Sequence, residues 1–314
     1  MNSTIEASFD AVVVGGGPAG LNAALVLGRA RRRVLLCDDG NPRNAAAAEM
    51  HGFITRDGYA PQTLKAKGRE ELDRYPSVEV VEDAVTRIVR TTGFEATLAG
   101  GRIVAARRIL LATGMRDDLP AIEGLGDRWG RSVFVCPHCD GWEFRDRRIA
   151  IFGAPADVVG LGQELRRWSS QLTLLGVAPY ALDRERAAWV KAAAARCLPG
   201  KPSRLEGGDG RLSSIVLDDG SRLDCDVLFL CVDLLQRSAL VTQLGCALTE
   251  SGSVRIDPSG RTSVPGVFAS GDMVENVHQA IVAAGSGVRA AVALDAELVD
   301  EEIARTLEDA AIEA

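Results

Sequence analysis

The sequence predicts an α/β protein with two Rossmann-like three-layer domains. Two short, uniformly apolar runs, Ala11–Val14 and Ile149–Phe152, are each followed by a turn and a helical segment. Apolar residues on both faces are typical of a parallel strand that is covered by helices on either side of its sheet. A length of 314 residues, with 46% hydrophobic and 25% charged residues, is sufficient for two domains that each bury a core.

The first unit has the order strand, glycine turn, helix, strand and acid. Ala11–Val14 are followed by Gly15–Gly20, a helix over Leu21–Ala30 and a second buried strand over Val34–Cys37, which leads to Asp38. This order is the context in which a G-x-G-x-x-G motif binds a dinucleotide. We therefore expect a dinucleotide-binding domain at the start of the chain.

The residues of the glycine turn have separate roles. Gly15 permits the tight turn, Gly17 lets the backbone approach a pyrophosphate, and Gly20 lets helix and strand pack closely. The helix start then offers free N–H groups and a partial positive charge to phosphate. Asp38 lies where a carboxylate accepts hydrogen bonds from a ribose, and an ordinary loop acid is the alternative. The residues expected at the dinucleotide are Gly15, Gly17, Pro18, Ala19, Gly20 and Asp38.

The rest of the chain alternates strands and helices. In order, the predicted elements are β segments over 78–112 with a turn at Thr92-Gly93, the strand Ile149–Phe152, a helix to about Trp168, a strand over Leu172–Leu175, a helix near 184–196, strands up to Val232, a buried helix from Gln279 to about Leu298 and an acidic surface helix from Glu301. The second βαβ start therefore lies in the middle of the chain.

Cys136 and Cys139 form a C-x-x-C motif around Pro137 and His138. Such a pair is either a redox-active disulfide or half of a zinc site. The other cysteines form no second C-x-x-C, and the histidines are scattered, so we expect a redox pair and no metal. The remaining thiols fall in or beside apolar segments and are expected to be structural.

Charge and composition exclude several classes of partner. The net charge of −7 argues against nucleic acid and against an anionic membrane surface. No signal peptide is visible, and no apolar run approaches the roughly 20 residues needed to span a bilayer. Seven cysteines, an odd number, fit the reducing cytosol, so we expect a cytoplasmic protein.

Taken together, the motifs resemble those of the low-molecular-weight thioredoxin reductases over nearly the whole chain. The matching segments are Gly15–Gly20, Ala112-Thr113-Gly114, Cys136–Gly141 and Gly271-Asp272, in this order. The resemblance implies a homodimer whose FAD domain is discontinuous, with residues 1–116 and 245–314. A central domain of residues 117–244 would carry the cysteine pair.

The resemblance also implies the remaining cofactor residues. In the family the carboxylate at Asp272 bonds the ribityl chain of FAD, and the helix start at His278-Gln279-Ala280 lies near the flavin. His51 and His278 are expected beside the flavin, with a packing role as the alternative. Besides the glycine turn and Asp38, the implied FAD contacts are Arg43, Asn44, His51, Thr113, Gly114, Gly271, Asp272, His278, Gln279 and Ala280.

The central domain departs from the reductases, which bind NADPH there through a second glycine fingerprint. Here Pro155 occupies the position where the backbone approaches the pyrophosphate, so it adds a ring and removes an N–H donor. Asp157 near the helix start would repel phosphate. The basic cluster that holds the 2′-phosphate is replaced by Gly176-Val177-Ala178. We therefore expect a degenerate NADPH-binding fold without the ligand.

This loss fits a subfamily that the chain also resembles, the thioredoxin-reductase-like dithiol oxidases of the gliotoxin, holomycin and romidepsin type. These enzymes close a disulfide in a small secondary metabolite and pass electrons through FAD to O₂, giving hydrogen peroxide. The resembling segments are Asp38–Asn44, Met50–Phe53, Arg56–Gly58, Cys136–Cys139 with Gly141–Glu143, and His278-Gln279.

The resemblance assigns a role to each residue of the disulfide turn. Cys139 would face the flavin and Cys136 would meet the substrate. The subfamily often has His where this chain has Asp140, which is the residue of the true reductases. Asp140 is the first choice for proton transfer and His138 the second, with a solvent-facing His138 as the alternative. Trp142 is interpreted as a core aromatic, with a substrate platform as the alternative.

Two other functions stay open. The first is a thioredoxin reductase-like disulfide reductase that uses NADPH, ferredoxin or another donor. The second is a non-catalytic flavoprotein that uses the cysteines as a redox sensor. No pattern in the sequence identifies the dithiol substrate.

Overall fold

The computed structural model describes residues 7–312, which form two compact units. The first unit contains the described parts of Met1–Ala45, Gln62–Arg116 and Leu234–Ala314, and the second contains Ala46–Pro61 and Asp117–Asp233. These limits differ from the expected 1–116 plus 245–314 and 117–244 in two places. Residues 46–61 join the second unit, where the Ala46 backbone lies against Gly130. Residues 234–244 join the first, because Leu240 and Val241 are buried in its core.

The first unit combines a parallel sheet with an antiparallel meander. Its elements are β1 (Ala7–Val14), α1 (Pro18–Arg29), β2 (Val34–Cys37), α2 (Pro61–Leu72), β3 (Val78–Val81), β4 (Val85–Arg90), β5 (Phe94–Leu98), β6 (Ile103–Leu111), β7 (Met115–Asp117), β16 (Leu234–Gln236), α6 (Leu240–Gln243), β17 (Val267–Ala269) and α7 (Ala280–Ile312). The seven-stranded sheet has the order β3-β2-β1-β6-β5-β4, and β17 also pairs with β6. Strands β7 and β16 form a separate two-stranded ribbon.

Strand β6 joins the two halves of this sheet. Its first half pairs antiparallel with β5, and its second half pairs parallel with β17. Side chains alternate between the two faces, so Val12 and Val14 enter the core on the meander side, whereas Ala11 and Val13 pack with α1 and α7 on the other. Both faces of β1 are therefore buried, as its uniformly apolar run predicts.

The second unit contains a parallel sheet and a smaller antiparallel one. Its elements are β8 (Val133–Phe134), α3 (Pro137–Asp140), β9 (Ile149–Phe152), α4 (Pro155–Leu165), β10 (Leu172–Leu175), α5 (Arg184–Ala192), β11 (Arg196–Leu198), β12 (Pro202–Glu206), β13 (Ser214–Leu217), β14 (Arg222–Asp224) and β15 (Val227–Leu230). The five-stranded sheet has the order β11-β10-β9-β15-β8, and β12-β13-β14 form the antiparallel sheet.

Two helices differ in length from their predictions. The helix expected over 184–196 ends at Ala192, because Ala194 adopts a positive φ of 54° and the chain then enters β11. The buried helix expected from Gln279 and the separate tail helix are one continuous 33-residue helix, α7. Within residues 7–312, no helix is both long and apolar enough to cross a bilayer.

Candidate active site

Cys136 and Cys139 are joined by a disulfide in the second unit, just after β8. Their Cα atoms lie 5.3 Å apart, and both residues are half-buried. The backbone N–H groups of Cys139 and Asp140 both donate to the Cys136 carbonyl at 3.2 Å, which closes the short helix α3. The next position, Gly141, has no room for a side chain, because a Cβ there would lie 2.5 Å from the carbonyl oxygen of Pro137. The local backbone therefore holds both sulfurs in one turn.

The carboxyl of Asp140, next to Cys139, has an unusual ionisation. Burial, together with the negative charge of Glu143 and against the opposing effect of His51, raises its pKa to about 7. A carboxyl with this pKa exists in both protonation states near neutral pH, so it is able either to donate or to accept a proton.

His51 belongs to the second unit, and its place beside the flavin stays a prediction. Its Nε2 is 3.7 Å from Glu143 Oε1 and 3.7 Å from Glu49 Oε2, and its Nδ1 is 3.5 Å from Asp57 Oδ1. The segment 46–61 is folded on itself by the Met50–Tyr59 bridge. His51, Glu143 and Asp140 thus form an electrostatic group within the unit that carries the disulfide.

His138 and Trp142 both face outward from the disulfide turn. His138 is exposed, and its ring makes an edge contact with Trp168 at 5.6 Å between centroids. Trp142 is 64% exposed and stacks with the Arg145 guanidinium at 4.3 Å. The interpretation of Trp142 as a core aromatic is therefore wrong, because the turn after Gly141 directs this side chain to the surface.

The other cysteines have the character of unreactive thiols. Burial raises the pKa of Cys37, Cys225 and Cys231 to about 12 and also raises that of Cys197 and Cys246. A thiol with a raised pKa rarely forms the nucleophilic thiolate near neutral pH. Disulfide exchange is therefore expected at the Cys136–Cys139 pair.

In the first unit, the glycine turn follows β1 and leaves space where a phosphate would lie. A Cβ on Gly15 would be 2.3 Å from the Ala112 carbonyl oxygen, and one on Gly20 would be 1.8 Å from the Gly15 carbonyl oxygen. Beside Gly17, by contrast, no atom of residues 7–312 lies within 4 Å of the Cβ position, its two chain neighbours aside. No side chain caps α1, and its first turn has no acidic residue. The turn is therefore packed on the protein side and open on the other, which fits a bound pyrophosphate.

Asp38 is buried at the end of β2 and already has partners. Lys65 Nζ is 2.6 Å and Arg69 Nη2 is 2.8 Å from its Oδ2, and the Gly40 N–H donates to its Oδ1 at 3.2 Å. Burial would raise the pKa of this carboxyl, but the Lys65, Gly40 and Arg69 interactions outweigh it and lower the pKa. The ionised group retains an acceptor position on Oδ1, which is compatible with a ribose hydroxyl.

The other predicted cofactor residues of the first unit follow the ends of neighbouring strands. Arg43 Nη1 is 3.4 Å from Asp272 Oδ2, and the Thr113 hydroxyl contacts the sulfur of Met273 at 3.7 Å. Gly114 and Gly271 have positive φ, of 68° and 80°. The Gln279 carbonyl accepts from the Ala283 N–H at 2.9 Å, so α7 begins at Ala280. His278 is half-buried before this helix, and Asn44 is exposed.

In the second unit, the turn after β9 contains the residues on which the predicted loss of NADPH binding depends. Pro155 is the first residue of α4, and Asp157 lies in its first turn. A Cβ on Gly153 would be 2.6 Å from both Cβ and the carbonyl oxygen of Cys231. Val177, after β10, is fully buried.

Two groups of polar residues had no clear signal in the sequence. Lys65 and Arg69 are spaced i, i+4 on α2, a helix that was not predicted, and they meet Asp38 only in the folded unit. His51 and Glu143 are far apart in the chain and are brought together by the packing of segment 46–61.

Similarity to known proteins covers nearly the whole chain. The family model described as pyridine nucleotide-disulphide oxidoreductase matches residues 9–287. A protein named probable thioredoxin reductase from Arthroderma benhamiae is 31% identical over 333 residues, covering 94% of this chain and 82% of that protein. The crystal structure of HlmI is 38% identical with a TM-score of 0.91, covering 97% of this chain and 96% of that one.

A putative thioredoxin reductase from Bacillus anthracis is 33% identical with a TM-score of 0.88, covering 94% of this chain and 99% of that one. These similarities confirm the predicted fold of two Rossmann-like domains and the resemblance to thioredoxin reductases. The protein is a disulfide oxidoreductase by this relationship. The chain therefore belongs to the pyridine nucleotide-disulphide oxidoreductase family, as a thioredoxin reductase-like member.

Proposed function

We propose that the protein is an FAD-dependent dithiol oxidase that closes an intramolecular disulfide in a small dithiol, with O₂ as the electron acceptor. The observation that carries this proposal is the turn after β9. A redox-active disulfide is retained in the second unit, while Pro155 and Asp157 occupy the helix start that would meet a nucleotide phosphate. An enzyme with the disulfide but without a site for NADPH is better suited to oxidise thiols than to reduce disulfides.

Disulfide exchange between the substrate dithiol and the enzyme disulfide requires no further oxidant or reductant. Following the resemblance, a substrate thiolate attacks Cys136, and the Cys136–Cys139 bond breaks with Cys139 as leaving group. The second thiol of the substrate then attacks the mixed disulfide. The substrate leaves as a cyclic disulfide, and the enzyme keeps both electrons and protons as the dithiol of Cys136 and Cys139.

The residues of the first unit fit FAD, which is the cofactor implied by the resemblance. The open side of Gly17 and the uncapped start of α1 would hold the pyrophosphate, Asp38 the adenosine ribose and Asp272 the ribityl chain. When bound, FAD supplies the two-electron chemistry that returns the dithiol to the disulfide and reduces O₂ to hydrogen peroxide.

Asp140 is the acid–base group of this proposal. In its protonated form it would donate a proton to the departing sulfur of Cys139, the adjacent residue. The thiolate fraction of the substrate rises with pH, whereas protonated Asp140 is lost above its pKa. The exchange rate should therefore reach a maximum and then decline on the alkaline side.

In Asp140→Asn the rate of disulfide exchange should no longer change with pH around a midpoint near 7. The rate itself should be lower by roughly 10²-fold, because the group that transfers the proton is absent. The substitution should also stabilise the fold above pH 7. A raised carboxyl pKa favours the protonated native state, and this stabilisation is lost as pH rises through the native pKa. Stopped-flow reduction of the oxidised enzyme and melting curves at pH 5 and pH 8 would measure the two effects. An unchanged pH profile would contradict the assignment of Asp140.

The function itself is tested by two anaerobic additions to the FAD-loaded enzyme. NADPH should leave the flavin oxidised, whereas a small dithiol should bleach it. In air, the same dithiol should consume O₂ and yield hydrogen peroxide in equal amounts. Rapid bleaching by NADPH would refute the proposal and favour a disulfide reductase.

A disulfide reductase is the second candidate, because the relative from Arthroderma benhamiae is named probable thioredoxin reductase. The non-catalytic sensor that the sequence left open would give a single reduction by dithiol and no further O₂ uptake. The two anaerobic additions and the O₂ measurement therefore separate all three functions.

A further inference from the structure

A buried ionic cluster holds the carboxylate of Asp38 at the end of β2. Lys65 Nζ lies 2.6 Å and Arg69 Nη2 lies 2.8 Å from the same oxygen, Oδ2. The Asp38 side chain is only 7% exposed, and those of Lys65 and Arg69 are 12% and 25% exposed. Because little water reaches these contacts, they fix the carboxylate more firmly than a surface ion pair would.

The two oxygens of the Asp38 carboxylate have different surroundings. Besides the two cations, Oδ2 faces the glycine turn, since a Cβ on Gly16 would lie 2.5 Å from it. Oδ1 accepts a hydrogen bond from the Gly40 N–H at 3.2 Å. A carboxylate oxygen accepts about two hydrogen bonds, so Oδ1 is able to accept another from a ligand hydroxyl.

The two cations come from one side of α2, where Lys65 and Arg69 are spaced i, i+4. Arg69 is also held at its other terminal nitrogen, because Nη1 contacts the Glu82 carboxylate. Between them, Gly68 lies against α1, and a Cβ there would be 2.9 Å from Leu21 Cδ1. The helix therefore presents both cations to Asp38 from a packed position.

We propose that Lys65 and Arg69 are positioning residues for the nucleotide, which orient the Asp38 carboxylate so that Oδ1 accepts a hydrogen bond from the 2′-hydroxyl of the adenosine ribose. The inference rests on the proposed function in taking FAD as the nucleotide of the first unit. It adds that the affinity for FAD depends on two side chains of α2 that bind the carboxylate rather than the cofactor.

A purely structural role of the cluster would have a different signature. Ion pairs that only joined α2 to β2 would, on removal, lower the free energy of unfolding and weaken FAD and its analogues alike. A positioning role predicts that the loss of affinity depends on one hydroxyl of the ligand. An FAD analogue that lacks the adenosine 2′-hydroxyl therefore separates the two roles, as a double-mutant cycle does for two side chains.

The test measures the affinity of the full-length apoprotein for FAD and for the 2′-deoxyadenosine analogue by isothermal titration calorimetry. The wild type should bind the analogue roughly 10-fold to 10²-fold more weakly, as expected for a lost hydrogen bond to a charged acceptor. In Lys65→Met and in Arg69→Met this ratio should fall by at least about 3-fold, because FAD binds more weakly while the analogue binds as before. Asp38→Ala should bind both ligands equally.

Lys67→Met is the matched control, because this exposed lysine lies on the same helix and the variant removes the same charge. It should keep the wild-type ratio. Each variant at Lys65 or Arg69 leaves one cation on Asp38, so neither creates an unpaired buried carboxylate and both should fold. A residue whose variant keeps the wild-type ratio takes no part in the positioning.

The proposal is overturned if Lys65→Met and Arg69→Met both keep that ratio, or if the wild type binds FAD and the analogue equally, a comparison that needs no variant. None of these measurements involves turnover. A protein that showed the expected ratios but consumed no O₂ with a dithiol would contradict the oxidase function and leave this inference standing. The two failures are therefore distinguishable.

Discussion

Cys139→Ser should abolish the oxidation of dithiols while FAD stays bound. The variant retains Cys136 but has no enzyme disulfide to receive the electron pair of the substrate. Turnover should fall by more than about 10³-fold, as expected when the covalent group of a mechanism is removed. Apart from His51, the residues expected at FAD belong to the first unit, so the flavin content should equal that of the wild type.

O₂ uptake, flavin absorbance and anaerobic flavin reduction would measure these effects. Cys197→Ser is the matched control, because Cys197 is a half-buried free thiol of the same unit. It should keep normal turnover. If Cys139→Ser oxidised dithiols at the wild-type rate, the disulfide would not be the redox centre and the proposed reaction would be wrong.

Gly17→Val and Gly20→Ala should have different effects although both lie in one turn. At Gly17 the φ of −76° suits any residue, and beyond its chain neighbours no atom of the described residues lies within 4 Å of the Cβ position. The variant should fold normally but bind FAD at least roughly 10²-fold more weakly, because the added side chain fills the space for pyrophosphate.

At Gly20 the added Cβ would lie 1.8 Å from the Gly15 carbonyl oxygen, so the turn and α1 must separate. Gly20→Ala should lower the free energy of unfolding by about 3 kcal/mol even without cofactor. FAD titration of the apoprotein and its melting temperature distinguish binding from folding. Full FAD affinity in Gly17→Val would show that the open side of the turn is not the phosphate site.

The elements with uniform apolar runs could be predicted closely from the sequence. The predicted strands Val34–Cys37, Ile149–Phe152 and Leu172–Leu175 agree with β2, β9 and β10. Their residues are buried on both faces, so local composition and the final environment agree. The glycine turn was equally predictable, because its spacing follows from the close contacts of Gly15 and Gly20.

The electrostatic surroundings of the site were less predictable. Asp38 was expected to accept hydrogen bonds from a ribose, and its contacts with Lys65 and Arg69 from α2 were not predicted. The resemblance assigned His51 to the flavin, and it gave no sign that Glu143 from another segment lies near its imidazole. Long-range pairs of this kind depend on how distant segments pack within each unit, and no local spacing encodes them.

Contacts at two points along helix α7 fix which of its side chains face the rest of the unit. Near its start, Gly287 lies so close to α1 that a Cβ would be 2.1 Å from the Ala19 carbonyl oxygen. Farther along, Asp295 and Glu302 meet Arg32 at 2.5 and 2.6 Å. Inserting one residue between these points would turn the later part of the helix by about 100° and carry both carboxylates away from the arginine. The helix therefore tolerates exchange on its outer face, at Val292 for example, far better than any change of length.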